Sequence, residues 1–275
     1  MDFTYIDEGI NAVVIDNFFN ENQLKEIMTE LKWLTKESVL VGEKQLDTAE
    51  NEYGALASKS GVFLESVFNN WRHSALISSS VHQMNTKEFH DGLMSHNELY
   101  KTLFYCNHRS HLLSYYQNAD YYGAHCDASF YTMLSYFHTE PKKFKGGEII
   151  LSSYTQEKKA TIEIKPNRIV LITSNTWHEV AKLESDANMP KYSGDGRYCN
   201  AIFLTRIDDK EWHVDPNGGG KYVDRKDVGL HTSKAKPKAE KSEQRTSRWV
   251  QEMVCIERGF QAGKSRKSPP KSWRR

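Results

Sequence analysis

Six short runs of β-branched and aromatic residues, separated by turn-forming residues, constrain the fold of this chain most strongly. They are Leu112–Tyr116, Tyr131–His138, Gly147–Ser152, Ala160–Ile164, Arg168–Thr173 and Arg197–Arg206. Short strands with Gly-Gly and Pro-Asn turn signals between them are typical of an antiparallel sandwich or barrel, since a parallel sheet needs helices between its strands. We therefore predict a jelly-roll-like β domain.

A helical region precedes these strands. Asn20 is a good N-cap and Gln23 stands three positions later, which is the spacing of a capping box. Apolar residues then recur at helical spacing, so we predict a helix through about Leu34. The resulting fold class is α+β, with an N-terminal strand and helix support region over residues 1-107, a core over residues 108-215 and a C-terminal extension over residues 216-275.

The composition indicates a protein of a reducing compartment. Four cysteines, Cys106, Cys126, Cys199 and Cys255, are scattered without paired spacing, which argues against a disulfide scaffold or a cysteine zinc site. No run approaches the ~20 apolar residues of a membrane span, and the N-terminus lacks the pattern of a secretion signal. We predict a cytoplasmic protein that does not span a membrane.

The C-terminal extension is basic, whereas the rest of the chain is mildly acidic. From His231 to Arg275 there are thirteen Lys/Arg and four Glu. Such a tail could hold nucleic acid or another anionic partner electrostatically. We favour the simpler interpretation, a solvated extension without a specific partner, because the segment is poor in apolar residues. Apolar residues between Ser247 and Phe260 could also form one short helix on the body.

A metal site is indicated by His125 and Asp127, two positions apart. On a strand, residues i and i+2 point to the same face, so both side chains can reach one ion. His178, at the end of a later strand-like run, supplies a third ligand. Two histidines and one carboxylate on one face leave positions open for a co-substrate and O2, which suits non-haem Fe(II). The second His-x-Asp pair, at His213, lies beside a glycine-rich turn and is explained by a surface role.

The order of motifs around this pair resembles the prolyl-4-hydroxylase-like Fe(II)/2-oxoglutarate-dependent dioxygenases. The matching features are a tyrosine-rich strand, His-x-Asp, a second tyrosine strand, Gly-Gly-Glu, a distal His-Glu-Val and a late basic residue. In this chain they occupy Tyr115-Tyr116, His125–Asp127, Tyr136, Gly146–Glu148, His178–Val180 and Arg197. The resemblance spans roughly Leu112 to Ile207 and implies a double-stranded β-helix, that is, a jelly-roll core.

The resemblance also implies roles for individual residues. His125, Asp127 and His178 would ligate Fe(2+), and Arg197 would pair with the distal carboxylate of 2-oxoglutarate. Tyr136 would donate its hydroxyl to the same carboxylate, and the cavity would be lined by Tyr115 and Tyr122. Because Arg197 lies 19 positions beyond His178, farther than in many relatives, Lys182 and Lys191 are rival anchors.

The implied activity is hydroxylation of a C–H bond, with 2-oxoglutarate and O2 as co-substrates, release of succinate and CO2, and L-ascorbate as a further candidate cofactor. The substrate is a protein or a small molecule, with peptidyl proline as the family-level expectation. Two alternatives from other classes remain: a non-catalytic jelly-roll binding module, and a zinc hydrolase that uses the same ligands. The hydrolase lacks an evident general base beside an open zinc position.

Overall fold

The computed structural model describes residues 1–7, 9–46, 48–51, 54–173, 175–207, 210–214 and 220–224. The region before residue 108 combines short strands with four helices. Its elements are β1 (Asp2–Ile6), β2 (Ala12–Asp16), α1 (Glu21–Leu34), β3 (Val41–Gly42), β4 (Glu50–Asn51), β5 (Gly54–Ala55), β6 (Ala57–Ser58), β7 (Ser60–Phe63), α2 (Leu64–Val67), α3 (Ala75–Met84) and α4 (Lys87–His96), with 3-10 helices at Glu43–Gln45, Trp71–His73 and Glu98–Tyr105.

Only strands follow in the rest of the described chain. They are β8 (His108–Tyr116), β9 (Tyr121–His125), β10 (Tyr131–Phe137), β11 (Phe144–Gly146), β12 (Ile149–Ser152), β13 (Lys159–Ile162), β14 (Arg168–Thr173), β15 (Trp177–Val180), β16 (Leu183–Ser185), β17 (Arg197–Thr205), β18 (Lys210–Val214) and β19 (Gly220–Asp224). No helix in the described part of the chain is long and apolar enough to cross a membrane.

Two antiparallel sheets form the body of the protein. The larger has eight strands in the order β1-β2-β14-β10-β17-β8-β7-β3, and the smaller has five in the order β13-β12-β15-β9-β6. Consecutive strands such as β8, β9 and β10 alternate between the sheets, which is the connectivity of a jelly roll. The predicted α+β class with a double-stranded β-helix core is confirmed.

The centre of the larger sheet is buried on both faces, and the sequence of β10 shows why. All seven residues of β10 are buried. Met133 and Phe137 pack with the helices, whereas Leu134 and Tyr136 belong to a second apolar cluster, which includes residues of the smaller sheet. Successive side chains of a strand point to opposite faces, so β10 contributes to both cores and positions Tyr136 between the sheets.

The N-terminal region is built into this framework. Helix α1 begins after Asn20, whose side chain accepts from the Gln23 backbone N–H while the Gln23 side chain accepts from Asn20, so the capping box is present as predicted. The helix ends at Leu34, also as predicted. Strands β1, β2, β3 and β7 lie in the same sheet as β8. The division into three regions stays a prediction, and the C-terminal extension from residue 225, including the segment from Ser247 to Phe260, lies outside the described residues.

Candidate active site

The structure brings His125, Asp127 and His178 together at one end of strands β9 and β15. One ligand atom from each residue lies within 4.8 Å of the other two. His125 Nε2 is 3.8 Å from Asp127 Oδ1, and His178 Nε2 is 3.5 Å from Asp127 Oδ2. The two histidines face each other because they are paired in register across β9 and β15. Asp127 is positioned differently from the prediction, since β9 ends at His125 and the carboxylate follows the strand.

Hydrogen bonds orient all three side chains. The Nδ1–H of His125 donates to the Gly123 carbonyl at 2.8 Å, and that of His178 donates to the Thr176 carbonyl at 3.1 Å. Because carbonyls only accept, Nδ1 carries a proton in both rings, and Nε2 is the atom directed at the aspartate. Thr132 Oγ1 donates to Asp127 Oδ2 at 2.6 Å. Partners of this kind fix the tautomer and the direction of metal ligands.

The electrostatics shift the protonation of His125 and Asp127 in the direction that favours a bound cation. Burial, followed by the proximity of His178, lowers the pKa of His125 to about 3. Burial opposes ionisation of Asp127, but His178, His125 and the Thr132 hydroxyl together hold the pKa of its carboxyl below the usual value. A metal requires neutral imidazoles and an ionised carboxylate, so the donor set suits a divalent cation.

Arg197, the first residue of β17, is fully buried at the other end of the space between the sheets. The guanidinium carbon lies 4.6 Å from the ring centroid of Tyr116 and 5.0 Å from that of Tyr136. Nε and Nη1 of Arg197 and the hydroxyl of Tyr136 are buried and have no hydrogen-bond partner among the residues described. Buried polar atoms are nearly always paired, so these donors indicate a missing anionic ligand.

A glycine makes room for this arginine. Gly147 has a φ of 74°, a left-handed conformation that other residues rarely adopt. A Cβ added at Gly147 would lie 3.0 Å from Arg197 Cδ. The Gly-Gly motif does not form the expected hairpin-like turn, because Gly146 ends β11 and pairs with Leu183, whereas β12 lies in another sheet. Gly147 instead allows the backbone to approach the arginine closely.

One cavity of about 340 Å³ connects the two clusters. The metal-ligand triad and Arg197 both line it, and its wall continues along β8 and β17 to His108 and Thr205. Cavities for small ligands begin at roughly 300 Å³, so the space suits a compact dicarboxylate beside a metal. The rival anchors are excluded from this role, since Lys182 and Lys191 are both exposed and neither lines the cavity.

Comparison with known proteins agrees with this geometry. Residues 110–203 match the family model of the 2OG-Fe(II) oxygenase superfamily. This segment belongs to the 2OG-Fe(II) oxygenase superfamily. The predicted enzyme class, a 2-oxoglutarate-dependent dioxygenase, is confirmed, as is the predicted requirement for Fe(2+), 2-oxoglutarate and O2. No curated protein sequence matches the chain.

Solved structures similar to this oxygenase include prolyl hydroxylases. A Trichoplax adhaerens prolyl hydroxylase, in complex with a peptide fragment of hypoxia inducible factor, is 14% identical, with a TM-score of 0.52, over 72% of this chain and 84% of that one. A Pseudomonas putida prolyl-4-hydroxylase is 11% identical, with a TM-score of 0.47, over 72% and 93%. A Phytophthora capsici prolyl 4-hydroxylase is 15% identical, with a TM-score of 0.46, over 91% and 73%. The first supports the jelly-roll fold.

The tyrosines of the oxygenase site require one correction. Tyr122 lines the cavity as expected, with its ring stacked 3.8 Å from that of His125. Tyr115 does not line it. Tyr115 packs in the helix-side core, where its hydroxyl accepts the N–H groups of Gly194 and Gly196. Because side chains alternate along β8, the neighbouring Tyr116 occupies the cavity wall instead.

Lys59 is a cavity residue that the sequence analysis missed. It precedes β7 in a polar and irregular segment, and no pattern in the sequence distinguishes it from a surface lysine. In the oxygenase it is only 5% exposed and lines the same cavity as the triad and Arg197. Burial lowers the pKa of its ammonium to about 8.

Proposed function

We propose that this oxygenase hydroxylates a C–H bond of a protein or small-molecule substrate, with a prolyl residue of a peptide as the substrate class. The reaction consumes 2-oxoglutarate and O2 and releases succinate and CO2. The observation that carries this proposal is the placement in one cavity of a two-histidine, one-carboxylate cluster and a buried guanidinium, two of whose nitrogens have no hydrogen-bond partner among the described residues. The first suits Fe(II) with open positions, and the second suits a carboxylate.

One group of side chains would bind iron, and a second group, at the other end of the cavity, would bind the co-substrate. His125, Asp127 and His178 would hold iron, which supplies the activation of O2 and the oxidation of the C–H bond. Arg197 would bind the distal carboxylate of 2-oxoglutarate through parallel N–H donors, and Tyr136 would donate its hydroxyl to the same group. Binding at the two ends together fixes the co-substrate in one orientation, which reduces the entropy lost during reaction.

Apolar side chains keep bulk water away from the reacting groups. Leu134, Ile149 and Val180 line the cavity between its two ends, and all three are buried. A site with low polarity strengthens the electrostatic contacts of the bound co-substrate. It also protects reactive species from side reactions with water.

The end of the cavity far from Arg197 supports a ring-shaped, largely apolar substrate. Phe63 and Phe203 line this part together with the polar side chains of His108, Ser110 and Thr205. Aromatic walls accommodate the apolar body of a pyrrolidine ring, and the polar groups can bind flanking peptide bonds. The Trichoplax protein that shares the fold was solved with a peptide fragment, which also supports a peptide as substrate.

The activity is tested by supplying Fe(II), ascorbate and 2-oxoglutarate and measuring succinate. Candidate peptides and free amino acids are then searched by mass spectrometry for products that gain one oxygen atom. We expect Asp127→Ala to abolish succinate release because it removes the only carboxylate of the triad, whereas His213→Ala should leave it nearly intact. Equal losses in both variants would contradict the site assignment.

The alternatives predict other results. A non-catalytic binding module binds 2-oxoglutarate without releasing succinate, and a zinc hydrolase retains zinc after anaerobic reconstitution with iron. The stimulation by ascorbate and the cytoplasmic location are part of this proposal. The cytoplasmic location is supported by Cys106, Cys126 and Cys199, the described cysteines, which form no disulfide.

A further inference from the structure

Lys59 is a buried cation without a counter-ion in the described part of the chain. Its Nζ donates to Ser114 Oγ at 3.1 Å, and no carboxylate oxygen of the described residues lies within ion-pair distance of it. An ammonium has three donors, so two remain for a ligand. Burying a charge in this way lowers stability unless an anion binds it.

The ammonium lies between the two ends of the cavity. It is 4.5 Å from the ring centroid of Tyr122, which stacks on the metal ligand His125. It is also 6.0 Å from the ring centroid of Tyr116, which contacts the guanidinium of Arg197. Lys59 therefore flanks the path from the metal ligands to the arginine, which is the path that an elongated dicarboxylate would follow.

This inference rests on the proposed function: we propose that Lys59 is a second cationic anchor for 2-oxoglutarate, binding the carboxylate next to the oxo group while Arg197 binds the distal one. The co-substrate has two carboxylates, and the cavity has two buried cations along one path. A charge-assisted hydrogen bond from Lys59 would also fix which oxygen atoms face the metal ligands. Lys59 lies outside residues 110–203, the segment matched by the family model.

The test measures binding to the full chain loaded with Zn(II), so that no turnover occurs. Calorimetric titration compares 2-oxoglutarate with 2-oxobutyrate, which keeps the carboxylate next to the oxo group but lacks the distal one. We expect Lys59→Met to weaken both ligands by the same factor, about 10- to 100-fold, the loss of one hydrogen bond to a charged group. Arg197→Met should weaken 2-oxoglutarate only. Lys182→Met, at an exposed lysine, is the matched control and should change neither.

Thermal unfolding of the ligand-free protein separates binding from a structural role. Lys59→Met should unfold at the same or a higher temperature than the original protein, because the substitution removes a buried charge and keeps an apolar side chain of similar length. A lysine that holds the fold together would lower the unfolding temperature when replaced. A lower unfolding temperature with unchanged dissociation constants would therefore overturn the proposal.

Two further outcomes would also overturn it. If Lys59→Met binds both oxo acids as tightly as the original protein, the ammonium does not contact the co-substrate. If the variant loses affinity for 2-oxoglutarate but not for 2-oxobutyrate, Lys59 binds the distal carboxylate instead. Failure of the proposed function is distinguishable, because the original protein would then either not bind 2-oxoglutarate when loaded with Zn(II) or bind it without releasing succinate when loaded with Fe(II).

Discussion

Replacing Arg197 with methionine tests whether this residue binds the distal carboxylate of 2-oxoglutarate. The guanidinium is fully buried, and two of its nitrogens have no hydrogen-bond partner among the described residues. A bidentate carboxylate would use two charge-assisted hydrogen bonds. Removing one partner of a buried pair costs about 3–5 kcal/mol. We therefore expect Arg197→Met to raise the dissociation constant of 2-oxoglutarate about 150- to 5000-fold.

Calorimetric titration of the Zn(II)-loaded protein measures this change, with Lys182→Met and Lys191→Met as controls. The ligand-free Arg197→Met variant should be at least as stable as the original protein, because its buried charge has no carboxylate counter-ion within the described residues. An unchanged dissociation constant in Arg197→Met, together with a raised one in either lysine variant, would show that the distal carboxylate binds elsewhere.

Three other changes test the hydrogen bond from Thr132 to Asp127, the ion pair between Asp16 and Arg168, and the C-terminal extension. Thr132→Val removes the 2.6 Å hydrogen bond to Asp127 and should weaken metal binding about 10- to 100-fold, measured by competition with a chelator. Thr35→Val, at a buried and hydrogen-bonded threonine that does not line the cavity, is the control and should leave metal binding unchanged. Arg168 donates to both oxygens of Asp16 at 2.7 and 2.8 Å, and this hydrogen bond lowers the pKa of the Asp16 carboxyl. A lowered pKa stabilises the fold above the unfolded-state pKa and the effect is lost as the pH falls through the folded-state pKa. Arg168→Met should thus reduce the free energy of unfolding at pH 7 by less than about 1 kcal/mol, and the difference should close in acid during urea titrations; a constant difference would contradict the ion pair. Truncation after Leu230 should leave 2-oxoglutarate decarboxylation nearly unchanged, and a folded but inactive product would show that the tail completes the site.

The sequence indicated the cluster of His125, Asp127 and His178 because its signal is local. His125 and Asp127 are close in the chain. The choice of His178 required only that the later strand that carries it lie beside the strand that carries His125. The structure brings these residues together through the pairing of β9 with β15, a contact across 53 positions. Arg197 was identified through the order of motifs, and its burial without a partner could not be read from the sequence.

Two errors have different physical causes, the alternation of strand faces and the position of a strand end. Tyr115 and Tyr116 are adjacent, so a one-residue uncertainty in the register exchanges the cavity face for the helix face. Asp127 was placed on a strand, but β9 ends two residues earlier and the Thr132 hydroxyl aims the carboxylate instead. Sequence patterns indicate that a strand is present more reliably than where it ends.

Lys59 shows a different limit, because its role depends on contacts that are distant in the chain. Its ammonium reaches Ser114 and the ring of Tyr122, which are 55 and 63 positions away. Nothing near Lys59 in the sequence marks it as buried. A long side chain can extend from the connection between β6 and β7 into the space between two sheets, and only the assembled fold shows this direction.

The charges of the cavity give a physical reason for the proposed binding mode. Without ligands, Arg197 and Lys59 are buried cations that Asp127 alone cannot balance, which reduces the stability of the protein. A divalent metal with a dicarboxylate would add no net charge, but it would place an anionic group beside each cation. Each charge would then be hydrogen-bonded in surroundings of low polarity, where such contacts are strongest. The cations are desolvated when the protein folds, so binding does not require this unfavourable step again. The donors are already held in place, so they lose little entropy when the co-substrate binds.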